Sequence, residues 1–271
     1  MKNLKKLVKE IKEVKIQGAK AIAIESLKFL KSYARKKGFG KDFERICFLL
    51  ESIRPTAVVL HNCIERILAE RKEEAIARLL KELKEVNLKL AKIGMKIFEK
   101  KSVVLTHCHS SEALSLIKYA WRKGKIKEVY ATKTEPLNQG IKTSKELAKE
   151  DIPVTLILDS AVGFFINNID MVIVGCDAIR KEGIINKIGT YQISVLAKIH
   201  KKPFYVVGST FKFDRRKKLK IEERPSKEIW KRIKGVKIRN PAFDLTPWEN
   251  VTALITEIGI LKKKDVLKYL S

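Results

Sequence analysis

Cysteine is scarce: Cys47, Cys63, Cys108 and Cys176 are the only four in 271 residues. None sits in a CxxC or CxH pair with zinc-site spacing. A disulfide framework is therefore not what stabilises so long a chain, and a zinc site has no motif. Aromatic residues reach only 7%, with no RNP-type aromatic motif, RGG box or zinc-finger spacing. No apolar run approaches the ~20 residues of a bilayer span. Residues Met1 to Lys15 interleave Lys with Leu, Ile and Val, unlike the continuous apolar core of a signal peptide. Walker A and a well-placed GxGxxG are missing, so nucleotide triphosphates and dinucleotides lack motif support. Internal repeats are also missing. Membrane, secreted and disordered classes drop out, and a soluble cytoplasmic protein is expected.

What is present is an apolar fraction of 45% and a large basic excess. That fraction suffices for a buried core and is too high for a disordered chain. Lys and Arg outnumber Asp and Glu 58 to 31, a formal net charge of +27. Such a field attracts polyanions and phosphorylated small molecules. Most of the excess is lysine spread over the helices, where it reads as a solvating face of the kind hyperthermophile proteins carry.

Two textures divide the chain. Residues 1–100 show apolar residues at helical spacing, as in Leu4, Leu7, Ile11 and Val14, and predict four or five helices. Gly18 interrupts that pattern and implies a break or a close ligand approach. Asp42 is placed to cap one helix, and Pro55 suits a first helical turn. From 101 to 271, short β-branched runs alternate with helical stretches. Runs at 103–105, 129–131, 154–158, 171–174, 204–207 and 252–255 predict strands; 111–122, 143–150, 161–168 and 190–200 predict helices. That alternation implies βαβ units and a parallel sheet. The expected fold is α/β: a helical N-terminal domain (1–100) followed by a Rossmann-like domain (101–271) carrying most of the site. Asn240 to Asp244 reads as a loop.

Ligands of open parallel sheets bind beyond the carboxyl ends of the strands. Polar residues collect there: His107, Cys108 and His109 after the first strand, Thr132 to Glu135 and Gln139 after the second, Asp159 after the third, and Asp177 after the fourth. Cys108 precedes a helix start marked by Ser110 and Ser111. A helix N-terminus and nearby cations would lower its pKa and make it a nucleophile or base; an inert buried thiol is the plain alternative. Asp177 could be a general acid, a hydroxyl ligand or a helix cap. A thiol and a carboxylate facing one pocket suit proton transfer beside a carbonyl, as in aldose–ketose isomerisation without a metal. Asn186 and Lys187 read as opening the next helix, where Lys187, free N–H groups and Gly189 could hold an anion. The histidines form no ligand set, and neither a metal nor another cofactor is expected.

The strings THCHSS, TKTEPLNQG, DSAVG, VGCDAI, INKIGT, KPFYVVGSTFKFD and NPAFDLTP resemble the alpha/beta/delta subunit family of translation initiation factor 2B. That family also holds metal-independent sugar-phosphate isomerases, ribose-1,5-bisphosphate isomerase and methylthioribose-1-phosphate isomerase among them. The resemblance runs from Gly18 and Ala19 to Asp244. It implies a dimer or hexamer, with Cys108 and Asp177 matching the isomerases' active pair. It also implies Gly18, Ala19, Arg54, Asn186 and Lys187 as substrate and phosphate ligands. Two arginines of the isomerase pattern are replaced here, by Gln17 and by Glu135, and a Glu would repel phosphate.

Two readings follow. The motif wording tips toward an archaeal initiation-factor-2B-like protein with a phosphosugar- or nucleotide-binding pocket. It would act through oligomerisation and protein partners such as initiation factor 2 subunits. The alternative, favoured by Cys108 and Asp177, is an isomerase turning ribose 1,5-bisphosphate or a related aldose phosphate into the ketose phosphate. RNA is a third partner class, resting on charge alone; a membrane partner is not expected.

Overall fold

The computed structural model describes residues 3–13, 15–16, 18–53, 57–218 and 221–270. The chain falls into two compact units, 1–86 with 216–220, and 87–215 with 221–271. Among the described residues no helix is long and apolar enough to cross a membrane.

The first unit is helical: α1 (Leu4–Lys12), α2 (Ala19–Lys37), α3 (Lys41–Ile53), α4 (Val58–Glu70) and the start of α5 (Glu73–Gly94). Asn3 begins α1 by accepting the Lys5 N–H on its side chain at 3.1 Å, an ordinary N-cap. Gly18 stands at the cap of α2 with φ +86, which explains the break in the helical pattern. Ile22, Ala23, Leu27, Leu30 and Ala34 of α2 are buried, the 3–4 spacing of a core-facing stripe. Asp42 is not a cap: α3 already begins at Lys41, and Asp42 lies in its first turn. Pro55 lies outside the described residues.

The second unit is α/β, with a mostly parallel central sheet. In chain order it holds β1 (Ser102–Thr106), α6 (Ser111–Arg122), β2 (Ile126–Thr132), α7 (Gln139–Ala148) and β3 (Val154–Ile157). Then come α8 (Val162–Phe165), β4 (Met171–Gly175), β5 (Ala178–Ile179), β6 (Gly183–Lys187), α9 (Thr190–Ile199) and β7 (Phe204–Val207). β8 (Phe243–Pro247), β9 (Ala253–Thr256), β10 (Gly259–Leu261) and α10 (Lys263–Leu270) close the chain. The main sheet runs β10-β9-β7-β4-β1-β2-β3, and β5-β6-β8 form a second, antiparallel sheet. Within the main sheet only the β9–β10 pair is antiparallel.

β1 and β4 are buried at every residue, as strands covered on both faces must be. Leu105, Val172, Val174, Ile193, Phe204, Val206 and Leu254 form the core between sheet and helices. The chain proceeds outward from β1 through β2 to β3, and on the other side from β4 through β7 to β9. β1 and β4 are therefore neighbours across which the winding reverses, the place where such sheets leave a crevice.

Three further expectations need correction. The helix expected over 161–168 is one α-turn, α8, between two 3₁₀ turns. Asn186 and Lys187 do not open a helix; they end β6, paired with Asp244 and Phe243 of β8. For the same reason the 240–244 stretch is not wholly loop, since Phe243 and Asp244 begin β8. This pairing joins segments far apart in sequence, and local pattern does not show it.

Candidate active site

β1 delivers Cys108 and β4 delivers Asp177 to the same end of the sheet, on either side of the switch point. Ser110 caps α6 by accepting the Ala113 N–H at 3.3 Å. A Cβ on Gly175 would lie 2.2 Å from Ser110 Oγ. Only a bare backbone at the end of β4 lets the two loops approach this closely.

Cys108 is partly exposed and adopts φ +68, a left-handed conformation unusual outside glycine. Its N–H donates to Thr134 Oγ1 at 2.9 Å, and its carbonyl accepts from Thr143 Oγ1 at 2.8 Å. Its thiol donates to Gln139 Oε1 at 3.6 Å. Thr134, left-handed at φ +62, is held by Asp159, which accepts the N–H groups of Thr134 and Glu135 at 2.8 and 2.7 Å. Two adjoining non-glycine residues in this region mark a site whose surroundings over-determine the backbone.

The electrostatics choose between the two readings of Cys108. Burial pushes the Cys108 thiol up to about 12, and the negative charge of Asp177 adds to it. The His109 N–H and Lys187 lower it but do not overcome this, so the resting residue is a thiol, the plainer of the two readings its position allows. Lys187, at the end of β6, is buried, and burial lowers its pKa while the charges of Asp159 and Glu228 raise it. Arg224 lowers it further. Among the described residues no carboxylate is in ion-pair contact with the Lys187 ammonium.

The anion cradle expected at the start of α9 is already filled. Asp244 Oδ2 accepts the N–H groups of Gly189 and Tyr191 at 2.7 and 3.2 Å. Asn186 is buried too, its amide donating to Thr190 Oγ1 at 3.0 Å. So Cys108, Asp177 and Lys187 share one electrostatic environment, whereas Asn186 faces the α9 start. Gly18 and Ala19 lie in the first unit at the beginning of α2. Arg54 and Gln17 lie outside the described residues.

Sequence reasoning missed a buried ion pair. Lys212, in a 3₁₀ turn after β7, donates to Glu112 in the first turn of α6, and both are buried. Burial opposes the Lys212 charge, yet Glu112 holds its pKa above the ordinary lysine range, with Cys176 and Asp177 contributing. The Lys212–Glu112 pair thus lies within electrostatic reach of Asp177. The two residues are 100 apart in sequence, and no local signal joins them. Glu135, the replacement that would repel phosphate, is paired with Lys133 at 2.5 Å, which offsets its charge.

Comparison with known proteins covers nearly the whole chain. Residues 15–263 match the initiation factor 2 subunit family. The ribose 1,5-bisphosphate isomerase of Methanocaldococcus jannaschii is 38% identical, over 95% of this chain and 91% of that protein. Its counterpart in Archaeoglobus fulgidus is 39% identical, over 96% and 90%. Among solved structures, the Pyrococcus horikoshii OT3 translation initiation factor eIF-2B aligns with a TM-score of 0.85. It shares 28% identity over 95% of this chain and 96% of its own.

Proposed function

This chain belongs to the initiation factor 2 subunit family, and within it we propose a metal-independent sugar-phosphate isomerase acting on ribose 1,5-bisphosphate or a related aldose phosphate. The names of relatives near 38% identity favour this reading over a translation-factor role. The observation that carries it is the meeting of Cys108 and Asp177 at the β1/β4 switch point, beside the buried cation of Lys187.

The chemistry needs two protons moved and two restored. Opening the sugar ring breaks C1–O4, and O4 takes a proton. C2 loses its hydrogen, O2 loses its proton as the ketone forms, and C1 gains one. In this reading Asp177 gives its proton to O4 and later takes the one from O2. Cys108 takes the C2 proton and returns it to C1. Both groups end as they began. The resting pair holds one proton, on sulfur. The reactive form carries it on Asp177 with the charge on Sγ, a shift that the ammonium of Lys187 favours electrostatically. Lys187 would also meet a substrate phosphate, as a point charge.

The test is ketose phosphate formation from ribose 1,5-bisphosphate by the purified full chain. Binding without turnover would instead support the second reading, a phosphosugar- or nucleotide-sensing initiation-factor-like protein, to which the name of the Pyrococcus structure lends weight. We also propose a homo-oligomer of at least two chains. Leu156, Leu158 and Phe164 are exposed on and just after the edge strand β3, apolar surface that a partner copy would cover. A 31 kDa species by light scattering would refute it.

A further inference from the structure

Histidines on both sides of a cysteine suggest activation of the thiol, but neither imidazole is bonded to Sγ, whose partner is Gln139. Their hydrogen bonds lead elsewhere. His107 Nε2 lies 2.9 Å from the Ile188 carbonyl. A carbonyl only accepts, so Nε2 carries the hydrogen. His107 is buried, and burial lowers its pKa, so Nδ1 is bare and accepts. Thr132 Oγ1, 2.6 Å away, donates to it. The Thr132 oxygen then accepts from Thr134 Oγ1 at 3.1 Å, a proton that Thr134 shares with the Thr132 carbonyl at 3.2 Å. Thr134 Oγ1 in turn accepts the Cys108 N–H at 2.9 Å. Every proton runs one way, from the Cys108 amide to the Ile188 carbonyl next to Lys187.

The other side repeats the device. Thr143 must donate its hydroxyl hydrogen to the Cys108 carbonyl at 2.8 Å, because two oxygens that close need a proton between them. Its oxygen also lies 3.1 Å from His109 Nδ1, and Glu146 Oε2 stands 3.5 Å from Nε2 of the same ring, so the imidazole is held between Thr143 and Glu146. One histidine–threonine strut thus grips the N–H of Cys108 and another grips its C=O. Those are the two peptide groups that must be fixed to hold φ at +68.

We infer that His107 and His109 are positioning residues, bracing the main chain of Cys108 through Thr132, Thr134 and Thr143 so that its thiol stays aimed into the site. This deepens the isomerase reading and rests on it only for the turnover measurement.

The test uses the ligand-free full chain and peptide-resolved alkylation by iodoacetamide. The buried Cys47, Cys63 and Cys176 in the same digests report any global opening. Thr132→Val keeps the shape and cuts the strut; Thr132→Ser keeps the hydroxyl. Release of one left-handed residue is worth about a tenfold change in the population of the loosened loop. Cys108 should therefore alkylate about tenfold faster at pH 8 in Thr132→Val and in His107→Leu, and at the wild-type rate in Thr132→Ser. In turnover, kcat should fall by about 100-fold, the effect of a misplaced reacting group, with KM nearly unchanged. Wild-type alkylation rates in a folded Thr132→Val protein would overturn the inference. So would loss of a limb of the pH–rate profile in His107→Leu, which would make the imidazole an acid or base. If His107→Leu does not fold, the Thr132 pair decides alone. If the wild type shows no turnover, the isomerase reading fails while the alkylation result still decides this one.

Discussion

The carboxylate of Asp244 accepts the backbone N–H of Gly189 at 2.7 Å, so helix α9 begins against an anion of the protein's own. A substrate phosphate near this helix must find Lys187 rather than the amides. Burial pushes the Asp244 carboxyl from an ordinary 3.8 up to about 6, against the two N–H bonds that favour its charge.

The sign of the pH effect follows. With its folded pKa raised, Asp244 binds protons more readily in the folded chain than in the unfolded one. Its contribution to stability is therefore fullest below about pH 4 and is lost as pH rises through about 6. Asp244→Asn keeps an oxygen for both N–H groups and removes the titration. The Tm of Asp244→Asn minus that of wild type should be more positive at pH 7.5 than at pH 4. Parallel Tm curves across that range would show that the carboxyl is not perturbed.

A second prediction concerns Glu112 and Lys212. Removing one member of a buried ion pair leaves the other charge unpaired and costs about 3–5 kcal/mol, whereas an apolar replacement of both can be nearly neutral. Glu112→Gln should destabilise the fold by that order, and adding Lys212→Met should recover much of the loss. Denaturant midpoints for the two singles and the double complete the cycle. Strict additivity would mean that the pair is not coupled.

What the sequence could show of this site depends on distance along the chain. β1 and β4 were legible because strands buried on both faces are continuous β-branched runs, and the polar residues after them mark the carboxyl edge. The antiparallel ribbon of β5, β6 and β8 was not legible, because its strands are short and its Asn186–Asp244 pairing joins remote segments. That ribbon is what moves Lys187 from a helix start to a strand end. The protonation of Cys108 is left open by the sequence for a related reason. A helix start and basic neighbours are visible in sequence; burial and the facing charge of Asp177 arise only in the folded chain.

Glu135 offers a third test. Its charge is held by Lys133 at 2.5 Å, and the Glu135 side chain is 48% exposed. An exposed pair of this kind is worth less than about 1 kcal/mol. Glu135→Gln should free Lys133 and tighten ribose 1,5-bisphosphate binding by about threefold, within that range. Calorimetry in low salt reads it directly. Unchanged or weaker binding would mean that Lys133 does not face the phosphate.

The last prediction asks whether Cys108 and Asp177 work as one device. If a single proton passes between them, neither can complete its half of the cycle alone. Groups of this kind contribute about 10²–10⁴ in rate. Cys108→Ser and Asp177→Asn should each lower kcat by that order, because the lost interaction is made mainly in the transition state. Substrate binding should change little, since neither substitution alters Lys187. The double variant should be no slower than the slower single, as for residues that act as a unit. Multiplying losses would mean two independent contributions, and the shared proton would have to be given up. Loss of binding in step with kcat would assign both side chains to holding the sugar rather than to moving its protons.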